Sequence, residues 1–175
     1  PPYFTASFSL LLSTLFVFAL VFYSYFFLYQ KDFFSILTRN ETKKKTLHVK
    51  QSDNLALLLE NINNSTILLL DAGKYSGNFR LVNKEGIEIK GTEGTILHSP
   101  DGITLTVEDS SDCHIENLRI EGANGKNSAL LLNHVQGIVF EKVALQNPLQ
   151  ALKIQAQSTK IAFRNSHISG EITIE

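Results

Sequence analysis

The chain has 175 residues, with 16 Lys/Arg against 17 Asp/Glu and a single cysteine. That balance excludes a basic face large enough for nucleic acid, and one thiol excludes an internal disulfide or a thiolate metal cluster. The layout is uneven: 13 of the 17 Phe and Tyr residues lie between Tyr3 and Phe34, and nothing from Pro1 to Gln30 is charged. Residues 31–45 then carry a net +3, and the rest of the chain a net −4.

Residues 1–30 are read as a transmembrane segment. The run from Ala6 to Tyr29 is 24 residues without charge, and a bilayer span needs about 20. Backbone groups in lipid must be satisfied internally, so the expected conformation is a helix despite its many Phe and Val residues. A signal peptide would have a shorter apolar core followed by a small-residue cleavage site; neither is present. Tyr23, Tyr25 and Tyr29 suit the aromatic belt at the membrane interface.

Residues 31–47 read as a basic juxtamembrane linker. Lys31, Arg39, Lys43, Lys44 and Lys45 are placed to meet anionic head groups. By the positive-inside rule this bias puts the following domain in the cytoplasm. The exported character of the proteins it resembles, named below, favours the extracytoplasmic, periplasmic side, which is the expectation adopted. No Met is present, so the initiator lies outside this sequence.

Residues 48–175 form the folded body. Leu55, Leu58, Leu59 and Ile62 follow helical spacing, which predicts a helix over about 53–63 with Ser52 or Asp53 as N-cap. Its expected role is to cover the first coil of the body, since an open strand edge invites pairing.

After residue 65 the chain repeats. Ile87-Glu-Ile-Lys-Gly, Cys113-His-Ile-Glu-Asn-Leu-Arg-Ile, Ile138-Val-Phe-Glu-Lys-Val-Ala-Leu and Ile161-Ala-Phe-Arg-Asn-Ser-His-Ile superpose at offsets of 26, 25 and 23 residues. Each run alternates with period 2, is too short to fold alone, and ends at Gly, Asn, Asp or Pro turn signals such as Pro100-Asp101-Gly102, Gly122 to Gly125 and Asn147-Pro148. Stacking such coils buries one apolar face that no single coil can bury. Ile89, Ile115, Phe140 and Phe163 are expected in one interior column, about 4.8 Å apart per coil. Glu88 and Lys90 face outward. The run Glu171 to Glu175 opens a further coil, so a longer natural chain is expected.

The helix, the Ile67-to-Asn78 pattern (apolar run, Gly73, Tyr75, Gly77) and the repeat together resemble the right-handed parallel β-helices related to pectate lyase, from about Leu47 to Glu175. The resemblance implies an all-β solenoid of about four to five coils with an N-terminal capping helix. Relatives of this kind include lyases, hydrolases, epimerases and non-catalytic binding proteins. The hydrolase branch implies clustered aspartates, a His and an Arg-x-Lys motif; here Arg119-Ile120-Glu121 carries Glu in place of Lys, and no Asp-Asp pair precedes it. Hydrolysis needs two paired carboxylates. The lyase branch implies Ca²⁺, for which Asp109, Asp112 and Glu116 are the weak candidates.

The five histidines fall at different phases of the repeat and lack metal-ligand spacing. Cys113 takes an inward position, as a buried thiol. No catalytic residue and no cofactor is assigned. The function expected is a non-catalytic, single-pass accessory or scaffolding subunit of a membrane complex. Its partners would be the bilayer and other subunits, met through the Phe-rich helix and the open C-terminal coil. The alternative is a membrane-tethered module that binds or acts on polysaccharide.

Overall fold

The computed structural model describes residues 44–123, 127–155 and 157–175. The transmembrane span at 1–30, Tyr23, Tyr25, Tyr29, Lys31, Arg39 and Lys43 lie outside them. Among the described residues no helix is long and apolar enough to cross a membrane.

The body is a parallel β-solenoid of about five coils. Twelve strands contribute: β1 (Lys45–Val49), β2 (Thr66–Leu70), β3 (Gly73–Ser76), β4 (Phe79–Val82), β5 (Glu88–Gly91), β6 (Thr95–His98), β7 (Leu105–Glu108), β8 (His114–Glu121), β9 (Leu130–Asn133), β10 (Val139–Ile154), β11 (Ala162–Arg164) and β12 (His167–Ile174). They stack in three columns. Face 1 runs β1, β2, β5, then the first halves of β8 and β10, then β11. Face 2 runs β3, β6, the second half of β8, the middle of β10 and the start of β12. Face 3 runs β4, β7, β9, the end of β10 and the end of β12.

Corners between the faces are built from residues with positive φ, again in columns. Ser65, Gly86, Asp112, Gly137 and Lys160 occupy one, Asn83, Asp109, His134 and Gln157 a second, and Asn117, Lys142 and Asn165 a third. The first two columns share the connection from face 3 to face 1, and the third turns the chain from face 1 to face 2. A non-glycine residue held there costs about 1–2 kcal/mol, least for Asn and Asp. The stacked backbone offsets that cost: Ser65 N–H donates to Glu85 O (2.9 Å), Gly86 N–H to Ser111 O (3.0 Å) and Asp112 N–H to Gln136 O (2.9 Å).

The interior is filled by alternate residues from every strand. Ile89 pairs in register with Ile115, Ile115 with Phe140 and Phe140 with Phe163. The same column continues backward through Leu68 to Leu47. Ile89, Ile115 and Phe140 are buried, and Phe163 is half-buried in the last complete coil. The rings of Phe140 and Phe163 stack at 4.7 Å with an 8° interplanar angle.

Three local expectations differ from the structure. The linker expected to run to residue 47 gives way earlier, because Lys45–Val49 is already a rung, paired in parallel with β2. Basic composition hides its strand pattern: Leu47 and Val49 point inward onto Leu68 and Leu70. The helix is α1 (Leu55–Asn61), one turn shorter than expected, and its N-cap is Asn54 instead of Ser52 or Asp53. Asn54 Oδ1 accepts from Leu57 N–H at 3.1 Å, while Asp53 turns back to accept from Lys50 N–H at 2.8 Å. Leu55 and Leu59 are the buried residues of α1.

Asn147-Pro148 lies where the chain turns from face 2 to face 3, as expected, but without a break in the strand. β10 passes through it as one 16-residue element, and the slip is taken up as a register shift against β12 between Gln146 and Gln150. Asn147 makes this possible. It is buried at 2% exposure, its Nδ2 donates to Asn127 O at 2.7 Å, and its Oδ1 accepts from Leu149 N–H at 3.1 Å. Glycines occupy the equivalent places on both neighbouring coils. A Cβ at Gly122 would sit 2.3 Å from Asn147 Nδ2, and one at Gly170 2.0 Å from Asn147 O.

Candidate functional site

The outer side of face 1 carries the densest set of charged groups. Period-2 alternation on β5, β8 and β10 turns Glu88, Lys90, His114, Glu116 and Glu141 outward, and the register aligns them. Glu88 stands beside His114, Lys90 beside Glu116, and Glu116 beside Glu141.

At the lower end the charges pair. Lys44 Nζ lies 2.6 Å from Glu88 Oε1, and Lys90 Nζ lies 3.1 Å from Glu88 Oε2. The hydrogen bond from Lys44 is the main reason the Glu88 carboxyl sits below its ordinary range, burial opposing it and Lys90 adding to it. Lys90 is raised in turn, first by its bond to Glu88. Lys44, expected at a membrane interface, is thus engaged with the solenoid.

A carboxylate with a lowered folded pKa stabilises the fold above its unfolded value of 4.5, and that contribution disappears as pH falls through the folded value. Glu88→Gln is therefore expected to leave a shallower acid limb in a plot of stability against pH. An acid limb identical to that of the parent chain would contradict this pairing.

At the upper end the charges are less fully matched. His114 Nε2 lies 3.6 Å from Glu116 Oε2 and 3.6 Å from Glu141 Oε2. The nitrogen is shielded from solvent and has no hydrogen-bond partner among the described residues. Glu116 Oε1 faces Lys90 Nζ at 3.7 Å.

The acidic trio expected from the sequence is not the group that assembles. Among the described residues, the His/Cys/Asp/Glu set whose ligand atoms come together is His114, Glu116 and Glu141, all within 4.8 Å. Asp109 and Asp112 are drawn off to two other corner columns by their positive φ, and Asp109 faces His134 at 3.4 Å. The five histidines share no repeat phase, which hides His114 as a ligand in the sequence. The available signal was mixed: His114-x-Glu116 places two side chains on one side of a strand, and the 25-residue offset brings Glu141 beside Glu116.

Face 2 carries a second, open groove lined by His98, Glu121, Gly122, Gln146, Asn147, Pro148 and Ser169. Glu121 is its charged centre, 3.6 Å from Lys74, 3.5 Å from Arg119 and 4.0 Å from His98. One carboxylate stands there among three basic groups; glycoside hydrolysis uses two, and among the described lining residues Glu121 is the one present. Cys113 is buried beside Ser111 O (3.2 Å), and burial pushes its thiol pKa up, away from nucleophilic use. A scan of protein-family models finds no match, and searches of curated proteins and of solved structures find no significant match either.

Proposed function

We propose that the chain is a non-catalytic, single-pass membrane protein. In this reading residues 1–30 span the bilayer, the solenoid lies on the extracytoplasmic side, and its coils wind right-handed like the pectate-lyase-related β-helices. It acts as an accessory or scaffolding subunit of a membrane complex.

The observation that supports this reading is the state of the last coil. Ile172 and Ile174 in β12 are 49% and 74% exposed, while the residues they stack on, Leu152 and Ile154, are buried and half-buried. An apolar column of face 3 thus continues onto Ile172 and Ile174, whose outer sides are open to a further rung, from this chain or from a partner. Such edges take up an added strand through backbone hydrogen bonds and alternate side-chain pockets. The proposed occupant is a strand of a partner subunit.

Purification of the full chain from membranes in mild detergent is expected to bring down a partner in fixed stoichiometry. Ile172→Lys with Ile174→Lys should release that partner while the protein stays in the membrane fraction. A monodisperse, partner-free protein would overturn the reading.

The face 2 groove favours a second reading, a tethered polysaccharide-binding module. Glu121, Gln146 and Ser169 would supply its acceptors and donors, and Lys74 and Arg119 would meet acidic sugars. In that case Arg119→Ala should abolish retention on an immobilised acidic polysaccharide, and Ile172→Lys should not.

A further inference from the structure

The geometry on the outer side of face 1 points to a binding site for one divalent transition-metal ion, of which Zn²⁺ is the type. The ligands are His114 Nε2, Glu116 Oε2 and Glu141 Oε2. None of the functional readings above uses this site.

The distances carry the inference. N–H···O hydrogen bonds close at about 2.7–3.2 Å. The two gaps from His114 Nε2 are both 3.6 Å, too long for that bond and equal toward two acceptors. Ligand atoms held about 2.0–2.2 Å from a tetrahedral Zn²⁺ lie about 3.3–3.6 Å from one another. The two edges from His114 match that spacing, and all three ligand atoms lie within 4.8 Å of one another.

Electrostatics agree. Glu116 and Glu141 stand directly opposite on adjacent coils, and like charges so placed repel. Lys90 answers one oxygen of Glu116 but none of Glu141 among the described residues. A cation shared by both carboxylates removes the repulsion and gives the solvent-shielded imidazole nitrogen a partner. Lys90 then acts as an outer partner that turns Glu116 toward His114.

The donor set selects the ion. One imidazole and two carboxylates suit zinc-like metals, whereas Mg²⁺ and Ca²⁺ prefer six or more oxygens. Each of the three side chains keeps 30–32% of its surface exposed, which leaves room for a fourth ligand from solvent. The corner residues Asn117 and Lys142 fix β8 and β10 immediately beyond Glu116 and Glu141, so the ligands sit on rigid backbone.

The test is titration of the full chain with ZnCl₂ against a chromophoric chelator, with Co²⁺ absorption as a second readout. One Zn²⁺ per chain is expected, together with the visible band of tetrahedral Co²⁺. His114→Gln and Glu141→Gln should each weaken binding at least about tenfold and remove the Co²⁺ band. His134→Gln, at an exposed pair elsewhere, should change neither. These outward positions leave the core intact, and the strand signal in circular dichroism checks each variant; if one fails to fold, the other decides. Absence of saturable Zn²⁺ binding, or unchanged binding in a folded His114 or Glu141 variant, would overturn the site.

Discussion

Phe140→Ala is expected to destabilise the solenoid by about 3–5 kcal/mol, the range for emptying a buried aromatic position. Phe140 lies in a column with Ile115 on one side and Phe163 on the other, fully buried and stacked on the second ring. Truncation leaves a ring-sized gap between two rigid coils. The neighbours cannot close over it, because their backbones are tied into parallel ladders along all three faces. Phe163 also loses its stacking partner, worth about 0.5–1.5 kcal/mol beyond buried area. Phe140→Leu fills most of the space and should cost far less. The measurement is denaturant unfolding of the full chain in detergent, followed by circular dichroism. A loss below about 1 kcal/mol for Phe140→Ala would mean that the ring is not enclosed.

Asn147→Leu is the second large effect, expected at about 1–3 kcal/mol. The side chain is near the size of the one it replaces, so packing is not the cause. Two backbone groups lose their partners, Asn127 O and Leu149 N–H; both residues are exposed, so water replaces part of each bond, whose net worth is about 0.5–1.5 kcal/mol. The apolar branch would also press on Gly122, where even a Cβ would collide with the Asn147 amide. Asn147→Asp keeps the acceptor for Leu149 and should recover part of the loss. Amide exchange should show the damage centred on the corner where β10 shifts register. Equal stability of Asn147→Leu and the parent chain would contradict the hydrogen-bond account.

Residues whose role follows from period and repeat were readable before the structure. Ile89, Ile115, Phe140 and Phe163 each sit at an alternating apolar position, and the offsets of 26, 25 and 23 place them together by arithmetic alone. The same arithmetic put Cys113 inside and Glu88 outside. Features that depend on the third dimension were not readable. β1 was hidden because Lys44 and Lys45 look like linker, although Leu47 and Val49 stack on Leu68 and Leu70. The Asn54 cap competed with two equally suitable neighbours. Asn147 reads as a turn residue, and the burial of its amide depends on a distant glycine, Gly122.

The candidate metal group shows the same limit. Its partners lie on different coils, and only the register brings Glu141 to His114. Asp109 and Asp112 suggested a site by proximity in sequence, but their corner conformations separate them. Turn signals mark corners at Gly, Asn and Asp but not at His134, Lys142 or Lys160, whose positive φ shows ladder hydrogen bonds overriding local preference.

Register is most directly tested by cysteine pairs on the outer side of face 3. Thr106 on β7 stands beside Leu131 on β9, and adjacent strands about 4.8 Å apart fall within the Cα separation a disulfide accepts, about 4.4–6.8 Å. Mild oxidation of Thr106→Cys with Leu131→Cys should form the intramolecular bond nearly completely, whereas Thr106→Cys with Asn133→Cys, two residues out of register, should remain reduced. Efficient bonding of the second pair with none in the first would show that the coils do not stack as described.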